Sequence, residues 1–121
     1  SSATGRCFAA HMPREAVAPL LQDELAHAGK LRRTDLPTTA AAVDTLLTEV
    51  RTHGSARVVD TLLPGIVAFC APVFDADGHL VLGITTLGSV ATFDPNWGGA
   101  IDTPLRVAAA QLSQDLGAGC A

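Results

Sequence analysis

Hydrophobic and polar positions change their period partway along this chain. Between residues 13 and 54 apolar side chains recur every three or four positions, the spacing that gathers them on one side of a helix. Val17, Leu20, Leu21 and Leu25 form one stripe, with Arg14, Glu15, Asp23 and Glu24 outside it. A helix is therefore predicted from Pro13, a favoured first helical residue, to about Ala28. Val43, Leu46, Leu47 and Val50 form a second stripe, capped by Thr38 or Thr39 and stopped at Gly54. Residues 29–38 read as the polar loop between them. A shorter helix is predicted ahead of both, over residues 3–11, packed through Phe8.

From Ala56 onward continuous apolar runs replace the helical period. Ala56 to Asp60 is predicted as a short strand and Leu63-Pro64-Gly65 as a turn. Ile66 to Phe74 and Leu80 to Leu87 are predicted as a hairpin joined at Asp77-Gly78, a pair suited to a tight turn that needs positive φ. A hairpin with one face in water alternates apolar and polar residues. Here Ile66, Ala68 and Cys70 point one way, Val67, Phe69 and Ala71 the other, and both sets are apolar. Something covers each face. Residues 89–102, with Trp97 and Gly98-Gly99, show no period. A last helix begins at Thr103-Pro104, presents Leu105, Ala108, Ala109, Leu112 and Leu116, and ends at Gly117. Helices, three antiparallel strands and a helix make an α+β chain. Helices are expected on one face of its sheet; on the other, a pocket, a missing segment or a partner chain.

Composition then removes several classes of function. A chain of 121 residues is one domain at most, and 48% hydrophobic against 17% charged residues argues for a packed core. The net charge is -4 and the eight Lys and Arg are scattered, apart from Lys30, Arg32 and Arg33 in a loop, so the chain by itself is not expected to hold DNA. Aromatics are only 4%, too few for a single-strand stacking surface. Cys7, Cys70 and Cys120, odd in number and set among apolar neighbours, suit a reducing cytosol rather than a disulfide framework. No apolar run approaches the roughly 18 residues of a membrane span, so a cytoplasmic protein without a membrane partner is expected. The chain opens without an initiator Met and reads as a fragment of something longer.

Reactive candidates are sparse. Cys7 and His11 lie four apart on one face of a predicted helix, a spacing open to a nucleophile–base pair or to half a metal site. No further Cys or His pattern supplies other ligands, and packing of a small thiol accounts for Cys7 more simply. Neither metal nor cofactor is expected. Asp75 and Asp77 read as turn residues, and His27, His53 and His79 as solvated helix ends and a turn.

The order of elements carries a resemblance as well. "ATGRCFAAHMP", then "LLTEVRTHG", then "LPGIVAFCAPVFDADGHLVLGITTLG" and finally "LRVAAAQLSQDLG" resemble, in order and spacing, the effector-binding domain of IclR-family transcriptional regulators. The likeness covers nearly all of the chain but only the later part of the family domain. The opening strands and the N-terminal winged helix-turn-helix have no counterpart here, so residues 1–121 are expected to be a truncated effector domain. The resemblance implies a GAF/profilin-like fold, with helices behind an antiparallel sheet and a small-molecule pocket in front. It also implies where the ligand is touched: at Ala3 and Thr4 opening the first helix, at Val58 and Ala68 in the strands, and at Thr85 and Leu87 near the hairpin's end.

In relatives that bind small oxo acids, an acid, a cysteine and a serine stand where this chain has Val58, Ala68 and Leu87. An unpaired carboxylate is costly to bury. With Ile66 and Cys70 beside them, these residues suit an apolar or aromatic body, and Thr85 a single polar end. Ordinary core packing explains Val58, Ala68 and Leu87 equally well. The expectation is a non-enzymatic, oligomeric effector domain that reaches DNA only through the absent N-terminal part. Its rivals are a small Cys7/His11 enzyme and a dimerisation module without ligand.

Overall fold

A computed structural model describes residues 2–13, 15–16, 18–19, 22, 39–59 and 64–117. Three helices and three strands follow in the order α1 (Ala3–His11), α2 (Ala40–His53), β1 (Ala56–Val59), β2 (Ile66–Phe74), β3 (Leu80–Ser89) and α3 (Asp102–Asp115). Most of the helix expected from Pro13 to Ala28, with its stripe Val17, Leu20, Leu21 and Leu25, lies outside the described residues. So do the loop 29–38 and His27.

The helix ends follow local chemistry. Ser2 caps α1, its Oγ accepting the Gly5 N–H at 2.9 Å, and Thr39 rather than Thr38 caps α2, accepting from the Ala42 N–H at 3.1 Å. Gly54 closes α2 at φ 79°, where a side chain would be strained. The helix α1 is buried most deeply at Ala3, Cys7 and Ala10, and Phe8, half-buried beside that face, lays its ring against Gly83 of β3.

The sheet has strand order β1-β2-β3, antiparallel throughout. The hairpin turn forms as its residues suggest. Asp75 Oδ1 accepts the N–H groups of Asp77 and His79 at 2.9 and 3.0 Å, and Gly78 takes φ 78°. β3 runs two residues past the expected end at Leu87.

The one-sided helical cover expected from the sequence is wrong. On one face Ala56, Val58, Cys70 and the half-buried Ala68 pack with α1 and with Val43, Leu47 and Val50 of α2. On the other, Val67, Phe69, Ala71 and Val73 pack against Leu105 and Ala109 of α3, with Phe93, Trp97 and Ile101 at the margin. The last helix supplies the second cover, so both faces of β2 are apolar for the same reason.

The two layers are tied together at Asp102. Its fully buried carboxylate accepts from Ser55 Oγ, from the Gly98 N–H at 2.8 Å and from Arg106 Nε at 3.1 Å. Trp97 lies nearby, its Nε1–H donating to the Ser55 carbonyl at 3.4 Å. The His53 ring stacks on the indole at 3.9 Å and the Arg57 guanidinium lies 4.6 Å from the same ring's centre. His53, expected at a solvated helix end, is instead half-buried against this indole.

Candidate functional site

Register, more than any single residue, assembles the candidate site. Val58 pairs with Ala68, and Ala68 with Leu87, so these three form one row across the sheet. Ala56, Cys70 and Thr85 form the next row on the same face. The helix α1 crosses this face, and its first turn stands over the strands near the row of Val58.

The result is a recess of about 200 Å³ lined by Ser2, Ala3, Thr4, Val58, Ile66, Ala68, Thr85 and Leu87. Seven of the eight residues expected to form a site therefore meet around one hollow, and Cys70 is the exception. Cys70 is fully buried behind the lining. Ser2 was missed by sequence reasoning; the signal for it was a serine directly before a helix, the usual cap position. Most of the lining is apolar. Its side-chain polar atoms are the hydroxyls of Ser2, Thr4 and Thr85, and the last two share a hydrogen bond of 2.7 Å.

Behind that hydroxyl pair sit two thiols. Cys7 of α1 hydrogen-bonds Cys70 of β2, and the two shift in opposite senses. Donation to Cys70 and burial push the Cys7 thiol far up. Acceptance from Cys7 lowers the pKa of Cys70, with burial opposing and Thr85 and Thr4 assisting. Cys7 thus stays protonated, the reverse of an activated nucleophile. Gly83 makes room for this cluster, since a Cβ there would stand 2.7 Å from Cys70 Sγ. His11 does not pair with Cys7. Its ring meets Phe74 edge-on at 5.3 Å, and burial, then the nearby Arg51, lowers its pKa.

Among the described residues, one cluster has metal-like donors: Asp75, Asp77 and His79 in the exposed hairpin turn, their donor atoms within 4.8 Å of one another. The hydrogen bonds that close the turn already explain their approach.

An α+β domain with a small, mostly apolar recess between helix and sheet has the form of a small-molecule binding site. Residues 1–114 match the family of the bacterial transcriptional regulator IclR C-terminal domain. The chain belongs to that family, as an effector-binding domain of an IclR-type regulator, and is not an enzyme. Pseudomonas aeruginosa HmgR is similar at 32% identity with a TM-score of 0.84, over 99% of this chain and 45% of that one. The Thermotoga maritima IclR structure is 24% identical, with a TM-score of 0.78, over 96% of this chain and 46% of its own. An Acinetobacter PobR inducer-binding domain, solved as a double mutant with 3-hydroxybenzoic acid, is 17% identical with a TM-score of 0.74, over 93% of this chain and 65% of that one. The chain spans less than half the length of the first two. Nothing among curated proteins matches it. No helix of the described residues is long and apolar enough to cross a membrane.

Proposed function

We propose that the recess under the first turn of α1 binds a small-molecule effector with an apolar or aromatic body and one polar end. The observation that carries this reading is the lining itself. Val58, Ile66, Ala68 and Leu87 supply apolar walls, and the solvent-exposed Thr4–Thr85 hydroxyl pair is the polar point at the side. A cavity of about 150 Å³ holds benzene, so about 200 Å³ suits one ring with a small substituent. Among the described residues no Lys, Arg or His lines the hollow to replace the water around a small dianion or oxo acid. The ring of the 3-hydroxybenzoic acid bound by the PobR domain supports an aromatic body, though not the neutral polar end, since that ligand carries a carboxylate.

In the intact cytoplasmic regulator, this domain associates with a second copy and biases how paired N-terminal winged-helix heads sit on an operator. Binding at the recess shifts that equilibrium by its differential affinity for the two arrangements. The strand β3 offers the surface for association. Among the described residues it is an edge strand, with Val81 49% and Leu82 40% exposed away from the recess lining, and an apolar edge of this kind recruits partners.

Thermal-shift titration tests the ligand class, because a ligand that binds only the folded state stabilises it in proportion to ln(1 + [L]/Kd). Phenol and hydroxybenzyl alcohols are expected to raise the melting temperature more than glyoxylate or pyruvate. Equal or greater stabilisation by the small acids overturns the reading. Light scattering on the same samples checks association, which a monomer at high micromolar concentration contradicts.

A further inference from the structure

At the other end of α1, away from the recess, lies a second and larger hollow. It is a groove of about 360 Å³ between β2 and α3, with His11 at one side and Gly54 at the other. Ala71, Pro72, Phe74, Ala109 and Ala110 give it an apolar floor, and among the described residues no carboxylate lines it. It shares no residue with the recess.

Two polar groups in it are incompletely used. Arg106 is held in place rather than swinging free. Its Nε is tied to the buried Asp102 carboxylate at 3.1 Å, and its stem passes over the bare Cα of Gly54, where a Cβ would stand 3.5 Å from Cδ. With Nε occupied, the guanidinium still offers its two terminal amino groups as an end-on fork, and among the described residues nothing accepts from them. His11 Nε2 is buried and has no hydrogen-bond partner. A neutral imidazole can donate one hydrogen bond from that nitrogen, and burial with Arg51 close by favours the neutral ring. Arg51 adds a second guanidinium near this end, its Nε bonded to the Ala10 carbonyl at 3.2 Å.

We infer that this groove is a second ligand site, taking a small molecule with one carboxylate on an apolar body. The carboxylate meets the free fork of Arg106 in the paired geometry that guanidinium and carboxylate share, with His11 as a third donor. The apolar tail lies along Ala109, Ala110 and Phe74. The two hollows thus divide by chemistry: a ring with a neutral polar end in the recess, a carboxylate with a tail in the groove.

Sodium hexanoate is the probe, with 1-hexanol as its uncharged counterpart, followed by amide shifts in the 121-residue chain. Hexanoate is expected to move the amides of Gly54, Ala110 and Gln114 and the Nε–H of Arg106, and to bind about tenfold more tightly than hexanol, the worth of one charge-assisted contact. Ala110 and Gln114 are exposed, so charge can be added at the groove without disturbing the core. Ala110→Asp and the isosteric Gln114→Glu should each weaken hexanoate several-fold and leave hexanol unchanged, whereas Ala110→Lys should keep or tighten it. Equal binding of the two probes, shifts confined to Thr85 and Leu87, no shift with either probe, or indifference to all three substitutions overturns the inference. Hexanoate binding at the groove is read separately from phenol binding at the recess, so either site can fail alone.

Discussion

The two faces of β2 use the same strand for different ends. Toward α3 it presents Val67, Phe69 and Val73, all fully buried. Toward α1 and α2 it presents Ala68 and Cys70, small side chains against Ala3, Cys7 and Ala10. The bulky face fills its space with hydrocarbon and supplies cohesion. The small-residue face lets helix and sheet approach closely at Cys7 and Cys70, yet leaves a hollow where α1 begins. One alternation of residues therefore separates stability from binding on opposite sides of a single strand.

The largest test of that contrast is Phe69→Ala. Removing a fully buried phenyl ring that α3 cannot collapse onto should cost about 3–5 kcal/mol of unfolding free energy. Urea denaturation measures it, and a loss below about 1 kcal/mol would mean that the α3 face is not the one that holds the fold.

On the opposite face, Ala68→Leu should do the reverse. Ala68 is half-buried at the wall of the recess, so added methyl groups enter space that is already there. Stability should change by less than about 1 kcal/mol, while the thermal shift from phenol disappears. A large destabilisation with phenol binding intact would show that the recess is ordinary packing.

The smallest effect concerns pH. Burial first, then Arg51, lowers the His11 pKa below its ordinary value of 6.5. The unfolded chain therefore binds the proton more readily than the folded one. The contribution is fully present above pH 6.5 and is lost as pH falls from there toward the folded value. Melting curves between pH 7.5 and 5 should show a shallower decline in His11→Gln than in the parent chain. Parallel curves would place the titration elsewhere.

Much of this is legible in the sequence alone. Asp77-Gly78 between two apolar runs specified the hairpin, because few residues accept its turn geometry. Family spacing put Val58, Ala68 and Leu87 in equivalent places, and antiparallel register then drew them into one row. The second helical cover was not legible. Apolar residues on both faces of β2 say that something covers each, but periodicity does not name the element, and α3 lies past a loop without a period. The Cys7–Cys70 contact had no signal either, since it joins residues far apart in sequence through a helix crossing angle. Phe8 was a partial guide: its ring reaches Gly83 of β3, but the most deeply buried positions of α1 are the small Ala3, Cys7 and Ala10.

The carboxylate of Asp102 has a consequence for how the molecule comes apart. Its bond to Ser55 spans 47 residues of sequence and joins the cover of one face to the strand connection behind the other. Neither layer can peel from the sheet without stripping partners from a fully buried charge. Partial opening is therefore penalised more than its area alone implies, and the two halves of the core are bound into one cooperative unit. The most protected amides of β2 and of α3 should exchange with solvent through the same global event.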